Sequence, residues 1–366
     1  MITDRRPARA ARVVDSLTEQ HLDALLVTGR ANIRYITGFS GSSALLLITA
    51  RDSVLITDFR YQTQVIEEVG DLVRVRVEST SLWEGLWSEL THLQGRAVVG
   101  FDSAHVTHRE FQRFLDEAAG GRWQWRPHGE IVEALRESKD ADEVALIERA
   151  AGMATRALAS TLNQVRAGLT ELAIAGILEK ALRDEGSEAH PFETIVASGP
   201  RSALPHARAS GRVLEANELL LLDFGAEYGG YCSDVTRTVV VGRASDEVRA
   251  VYDVVRTANE RAARSVRAGM TGAGADALAR DYISAAGYGE DFGHSLGHGI
   301  GLEVHEAPRL ARTAAAKLLT DTVVTIEPGI YRPEWGGVRI EDDVYLSADG
   351  PRILTDFTHE LLELSA

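Results

Sequence analysis

The sequence has 366 residues and a formal net charge of −15, from 54 acidic and 39 basic side chains, with 45% hydrophobic residues. That length points to two domains and ample chain for a large core. The acidic balance argues against a nucleic-acid partner, which needs a basic face. Cys232 is the only cysteine, which excludes an intrachain disulfide and a thiolate metal site. The first twenty residues lack the apolar core of a signal peptide, and no apolar run approaches the length of a membrane span. The expectation is a cytoplasmic protein with no membrane partner.

In chain order, the first third alternates short apolar runs with helical stretches. The segments 23–28, 43–49, 53–58 and 96–102 read as strands, and 7–20 and 106–119 as helices. This is the α/β pattern of a small domain. A polar stretch at 126–130 reads as a boundary. A second domain then opens with a helix: Asp140 caps it, and Glu143 three residues later completes a capping box. Ile147, Ala150, Ala154 and Ala157 form its apolar stripe. A further helix over 170–185 stops at Gly186. Strands follow at 192–199, 218–225 and 233–242, then helices at 245–267 and 274–285. The last quarter returns to strands at 322–331, 336–347 and 350–356.

Chemistry concentrates in this second part. Within "DFGAEYGGYCSDVTRT", Gly229 and Gly230 supply the backbone angles of a tight hairpin. The midpoint between Asp223 and Asp234 falls at Tyr228–Gly229, so the two aspartates are expected nearly opposite one another, roughly 5 Å apart. Two ionised carboxylates that close repel unless a cation lies between them. Taken alone, the pair also reads as two solvated acids flanking a turn. A second hairpin shifts that balance. Glu327 and Glu341 have their midpoint at Glu334, inside the 333–337 loop, so they too face each other. Acids in such apolar settings seldom stay buried without a partner.

"FGHSLGHGIGLEVHE" then brings His294, His298 and His305 among four glycines that favour a loop or short strand over a helix. Standing alone, each would read as an ordinary core or surface histidine. Together with four inward-reading carboxylates they form a candidate metal centre: Asp223, Asp234, Glu327, Glu341 and one histidine. Oxygen-rich donors with a single imidazole suit hard to borderline divalent ions, Mn²⁺ first, with Co²⁺, Zn²⁺ or Fe²⁺ as alternatives. Four carboxylates balance two ions, about 3.5–4 Å apart with a water or hydroxide bridging them, as in two-metal hydrolases.

The order "DFG…SDVTRT", "SLGHGIGLEVHE", "EPGIY", "GGVRIED" resembles the pita-bread metallopeptidases, and "NIRYITGFSGSSALLLIT" with "TDFRY" resembles the N-terminal domain of their proline-specific branch. The resemblance implies an α+β chain, with a creatinase-like α/β domain over 1–128 and a pita-bread catalytic domain over 138–366. It implies that Asp223 binds one metal, that Asp234 and Glu341 bridge two, and that His298 and Glu327 complete the second metal's shell. His206 corresponds to a substrate-positioning histidine and His305 to one that meets the scissile carbonyl. His294 corresponds to a further active-site histidine, and Arg339 to an arginine near the metals or the substrate carboxylate. Tyr331 is a less specific neighbour. Glu327 is the implied proton shuttle.

The implied activity is hydrolysis of the Xaa-Pro bond of dipeptides (a prolidase). Aminopeptidase P, acting on longer peptides, is the alternative. A silent pita-bread binding protein is a third reading; such relatives lack the full ligand set. Methionine aminopeptidases lack an N-terminal domain of this size. Relatives are usually homodimers, so a homodimer taking a small peptide with proline second is expected. Cys232, two residues from Asp234, reads as a small strand residue.

Overall fold

The computed structural model describes residues 4–118, 121–333 and 335–366. Residue 119, at the end of one expected helix, and Glu334, the expected hairpin midpoint, lie outside them. The chain divides into two compact units, one ending at Arg136 and one running Glu137–Ala366.

The first unit is a six-stranded sheet in the order β4-β3-β2-β1-β5-β6. Its strands are β1 (Ala24–Val27), β2 (Ala44–Thr49), β3 (Ser53–Asp58), β4 (Arg74–Glu78), β5 (Ala97–Asp102) and β6 (Trp123–His128). Its helices are α1 (Arg6–Glu19), α2 (Arg30–Thr37), α3 (Gln62–Val69), α4 (Leu82–Leu90), α5 (His108–Glu117) and α6 (Ile131–Glu137). The polar stretch 126–130 therefore carries the end of β6. Pro127 is tolerated there because β6 is an edge strand, where a missing N–H costs no ladder bond.

The second unit is built from two sheets, each backed by a pair of helices. α7 (Ala141–Leu162) and α8 (Glu171–Asp184) cover the sheet ordered β19-β11-β8-β7. It contains β7 (Ile195–Ser198), β8 (Glu218–Phe224), β11 (Val235–Val241) and β19 (Glu363–Leu364). The short ribbon of β9 (Glu227–Tyr228) and β10 (Tyr231–Cys232) joins β8 to β11. The α7 capping box forms as the sequence implies: Asp140 accepts from the Glu143 N–H at 3.0 Å, and Glu143 accepts from the Asp140 N–H at 2.9 Å.

α9 (Asp246–Ser265) and α10 (Gly272–Ala285) belong to the other half. Its sheet runs β13-β12-β14-β17-β18, from β12 (Gly297–Gly299), β13 (Glu306–Leu310), β14 (Thr322–Ile326), β17 (Asp342–Ser347) and β18 (Gly350–Ile353). Between β14 and β17 the chain makes a separate ribbon, β15 (Gly329–Arg332) with β16 (Gly336–Arg339). Among the described residues, no helix is long and apolar enough to cross a membrane.

Strand alternation decides which side chains face the interior between the halves. On β8, Leu220, Leu222 and Phe224 pack with α7 and α8, and on β11 so do Val235, Val239 and Val241. With a period of two, Asp223, Thr236 and Asp234 project from the opposite face.

One expectation needs correcting. Asp223 pairs with Thr236, not Asp234, because the two-residue turn is centred between Gly229 and Gly230, one position beyond the expected midpoint. Both glycines have positive φ, 58° and 81°, which is the pair of angles that a primed hairpin turn demands. The offset is two residues on one strand, so Asp223 and Asp234 keep the same face and become diagonal neighbours. The second hairpin has the register expected of it: Ile326 pairs with Asp342 and Gly329 with Arg339, which sets Glu327 across from Glu341.

Candidate metal centre and active site

Four of the five expected ligands lie together, and Asp223 is near enough for its charge to act on Asp234, Glu327 and Glu341. One donor atom each from Asp234, His298 and Glu341 lie within 4.8 Å of one another. Glu327 joins them, its Oε1 being 3.4 Å from His298 Nε2, which is 3.9 Å from Asp234. Asp223 enters through Arg339, whose Nη2 donates to its Oδ2 at 2.5 Å.

The strand that carries His298 is held in a narrow slot. A Cβ on Gly297 would lie 2.0 Å from the Thr325 carbonyl oxygen, and one on Gly299 would lie 2.0 Å from that of Ala307. Only glycine fits on either side, which explains the "GHG" wording. His298 Nδ1 lies 3.1 Å from the Gly299 carbonyl. A carbonyl can only accept, so Nδ1 carries the proton and Nε2 turns its lone pair to the acids, the arrangement of a metal-ligating histidine. Burial, then the neighbouring His305, depress its pKa to about 4, so the ring is neutral at ordinary pH. The preceding loop is fixed by a buried pair: Asp276 holds Arg280, which donates to the carbonyls of Phe292 (2.8 Å) and His294 (2.7 Å).

The acids carry strong electrostatic stress. Burial, then Glu341, Asp223 and Glu327, push the Asp234 pKa well above the carboxylate range. Burial, then Glu327 and Asp223, do the same to Glu341. Glu327 is pushed up to about 8, mainly by burial. One oxygen each of Asp223 and Asp234 is buried without a hydrogen-bond partner. A bare cluster of this kind is unfavourable, whereas divalent cations would favour the ionised forms and take up the orphaned oxygens. The donor set therefore fits divalent metal.

The other expected residues fall around this centre. Arg339 is buried and spends its guanidinium on protein groups: Asp223, Thr236 Oγ1 (3.0 Å), the Tyr331 hydroxyl (2.7 Å) and the Pro205 carbonyl (3.3 Å). His294 Nδ1 donates to the Ser295 carbonyl (2.8 Å), so its Nε2 accepts from the Tyr331 hydroxyl (2.9 Å). Burial, then Arg339, lower the His294 pKa to about 4. A directed chain results, from Arg339 through Tyr331 to a neutral His294. His305 is exposed, its ring 4.3 Å from that of His298. His206 is exposed beside Pro205, and its charge acts on both His294 and His305.

Three residues with no assigned role in the sequence reading also shape the centre. Thr236 Oγ1 donates to Glu341 Oε2 at 2.5 Å. Asp343 Oδ2 accepts from the Asp234 N–H at 3.1 Å. Arg237 donates to the carbonyls of Thr236 (3.0 Å) and Glu341 (2.6 Å) and to Asp342 (2.8 Å). The legible signal for Arg237 was the one charged residue inside an otherwise uncharged, valine-rich strand.

Comparison with known proteins places this geometry. Residues 145–348 match metallopeptidase family M24, and residues 9–138 match the creatinase/prolidase N-terminal domain. An Xaa-Pro dipeptidase of Pyrococcus horikoshii is 33% identical over 97% of this chain and 98% of its own length. The structure of an Xaa-Pro dipeptidase from Bacillus anthracis matches with a TM-score of 0.93 at 37% identity, covering 98% of this chain and 100% of that one. An X-Pro aminopeptidase from Thermotoga maritima matches with a TM-score of 0.90 at 39% identity, covering 97% and 99%. The chain belongs to metallopeptidase family M24, a hydrolase whose creatinase/prolidase N-terminal domain precedes a pita-bread catalytic domain.

Proposed function

We propose that the protein is an Xaa-Pro dipeptidase with two divalent ions, Mn²⁺ first and Co²⁺ or Zn²⁺ as alternatives, held by Asp223, Asp234, His298, Glu327 and Glu341. The observation that carries this reading is the convergence of Asp234, His298 and Glu341 within 4.8 Å, in a site where burial and mutual repulsion push the acids well above the carboxylate range. The ions, when bound, lower the pKa of water towards neutrality and polarise the peptide carbonyl.

The chain's own groups do the rest. The Glu327 carboxylate takes the proton released by the attacking water and passes it to the proline nitrogen as the bond breaks. His305, at the open edge of the site, donates to the carbonyl oxygen as negative charge develops there. Arg339 and Tyr331 keep Asp223 and His294 in place. An Xaa-Pro bond has no N–H and a fixed φ, so a peptidase acting on it recognises the ring and the chain ends rather than a strand-like backbone.

For a dipeptide the second chain end is a carboxylate. Arg339 is buried and committed to protein groups, which leaves His206 and Arg332 as candidates; the Arg332 side chain is 40% exposed and pairs at the surface with Glu247 at 2.9 Å. The 39% identity to an X-Pro aminopeptidase favours a second reading, release of the first residue from longer peptides. Comparing kcat/KM for Met-Pro and Met-Pro-Ala separates the two. The dipeptidase reading expects Met-Pro to be preferred by about 10-fold or more, the effect of one charge-assisted contact. Equal or better cleavage of the tripeptide would overturn it in favour of the aminopeptidase.

A further inference from the structure

The long hairpin that carries Glu327 and Glu341 keeps a single register, yet its strands part where the glutamates stand. The Glu327 N–H donates to the Leu296 carbonyl (2.8 Å) and the Glu341 N–H to that of Thr236 (3.1 Å). Each glutamate's main chain is thus tied to a different neighbour. The adjoining rung is incomplete. The Ile340 N–H reaches the Pro328 carbonyl at 3.4 Å, but proline has no N–H to return to the Ile340 carbonyl. A buried carbonyl so placed needs another donor.

Asn259, in the middle of α9, supplies it. Its Nδ2 is 3.1 Å from the Ile340 oxygen and 2.9 Å from the Ile326 oxygen. Both partners are acceptors, so the amide presents its NH₂ and gives one N–H to each. These carbonyls belong to the residues immediately before Glu341 and Glu327. Asn259 is fully buried, and its Oδ1 has no hydrogen-bond partner. An amide with an orphaned oxygen inside an apolar stripe is a poor choice for packing alone. The two donated bonds account for it.

We propose that Asn259 is a positioning residue for the metal centre: its amide replaces the N–H that Pro328 lacks and fixes the spacing of the two strands on which Glu327 and Glu341 stand. The inference rests on the reading of those glutamates as metal ligands. The test is Mn²⁺ binding by the full chain, followed by the electron paramagnetic resonance of the free ion. The proteins are wild type, Asn259→Ala, Pro328→Ala and the double variant.

Asn259→Ala should weaken Mn²⁺ affinity by about 10- to 100-fold, the usual effect of losing a group that orients ligands. In the Pro328→Ala background residue 328 has an N–H, so the same change should cost less than about 3-fold, a coupling that independent sites would not show. Equal losses in the two backgrounds, or unchanged affinity in Asn259→Ala, would overturn the proposal. Should the alanine variant fail to accumulate, Asn259→Ser, which keeps one donor, is measured in both backgrounds against the same criterion. A wild type that binds no Mn²⁺, Co²⁺ or Zn²⁺ refutes the metal reading itself. A wild type that binds while Asn259→Ala binds equally well refutes the positioning role alone.

Discussion

Asp234→Asn should abolish peptidase activity and metal retention together, while leaving the metal-free protein at least as stable as the wild type. Asparagine keeps the shape of the side chain, and the Asp234 N–H still reaches Asp343. What disappears is one negative charge from a site where Glu341, Asp223 and Glu327 already oppose it. Without metal that charge is a liability, so its removal costs the fold nothing. With metal, a ligand to the catalytic charge is gone. Losing several kcal/mol of transition-state stabilisation lowers kcat/KM by about 10³-fold or more. The measurement is kcat/KM on Met-Pro beside elemental analysis of the dialysed protein. Full activity would count against the assignment; a fall in metal-free thermal stability would show that the variant acts through misfolding instead.

Arg237→Leu should lower the stability of the metal-free chain by about 3–5 kcal/mol, the range for removing one partner of a buried ion pair. Arg237 is fully buried and donates to Asp342 and to the carbonyls of Thr236, Glu341, Phe357 and Thr358. It thereby joins β11, the Glu341 position and the chain's last segment. Burial alone would raise the Asp342 pKa; Arg237, His359 and Thr355 hold it well below the usual carboxylate range. A depressed pKa contributes stability above the unfolded value and loses it as the pH falls through the folded one. The deficit of the variant should therefore be full at neutral pH and shrink below about pH 4, where an ordinary aspartate takes up a proton. Urea unfolding followed by circular dichroism checks this, and a loss under about 1 kcal/mol, the level of a surface pair, would contradict it.

The parts of the fold legible in the sequence were those where one local rule acted alone. The α7 cap needed only Asp140 and Glu143 at the right spacing. The second hairpin was placed correctly because its strands share one register on both sides of the glutamates. The first hairpin was displaced because two successive glycines both take positive φ, which moves the turn centre past the simple midpoint. β4 and β6 escaped notice for a different reason. They are the edge strands of their sheet, and "RVRVE" and "WQWRPH" carry the charges and the proline that edges tolerate. The short helices α2 and α3 span eight residues each, too few for a clear periodic stripe.

In the site, carboxylates and histidines stood out by type, whereas the groups that orient them did not. Thr236 and Asn259 are ordinary residues whose importance lies in a partner distant in sequence. Asn259 did leave a trace: it is the one amide on the buried stripe Tyr252, Val255, Asn259, Ala262 and Val266.

The central claim is that five side chains from separate segments hold a pair of divalent ions. Crystals grown with Mn²⁺, examined by anomalous diffraction at the manganese edge, test it most directly. The account predicts two peaks about 3.5–4 Å apart, enclosed by Asp223, Asp234, His298, Glu327 and Glu341. A single peak, or none among these residues in crystals of a protein that cleaves Met-Pro, would contradict it.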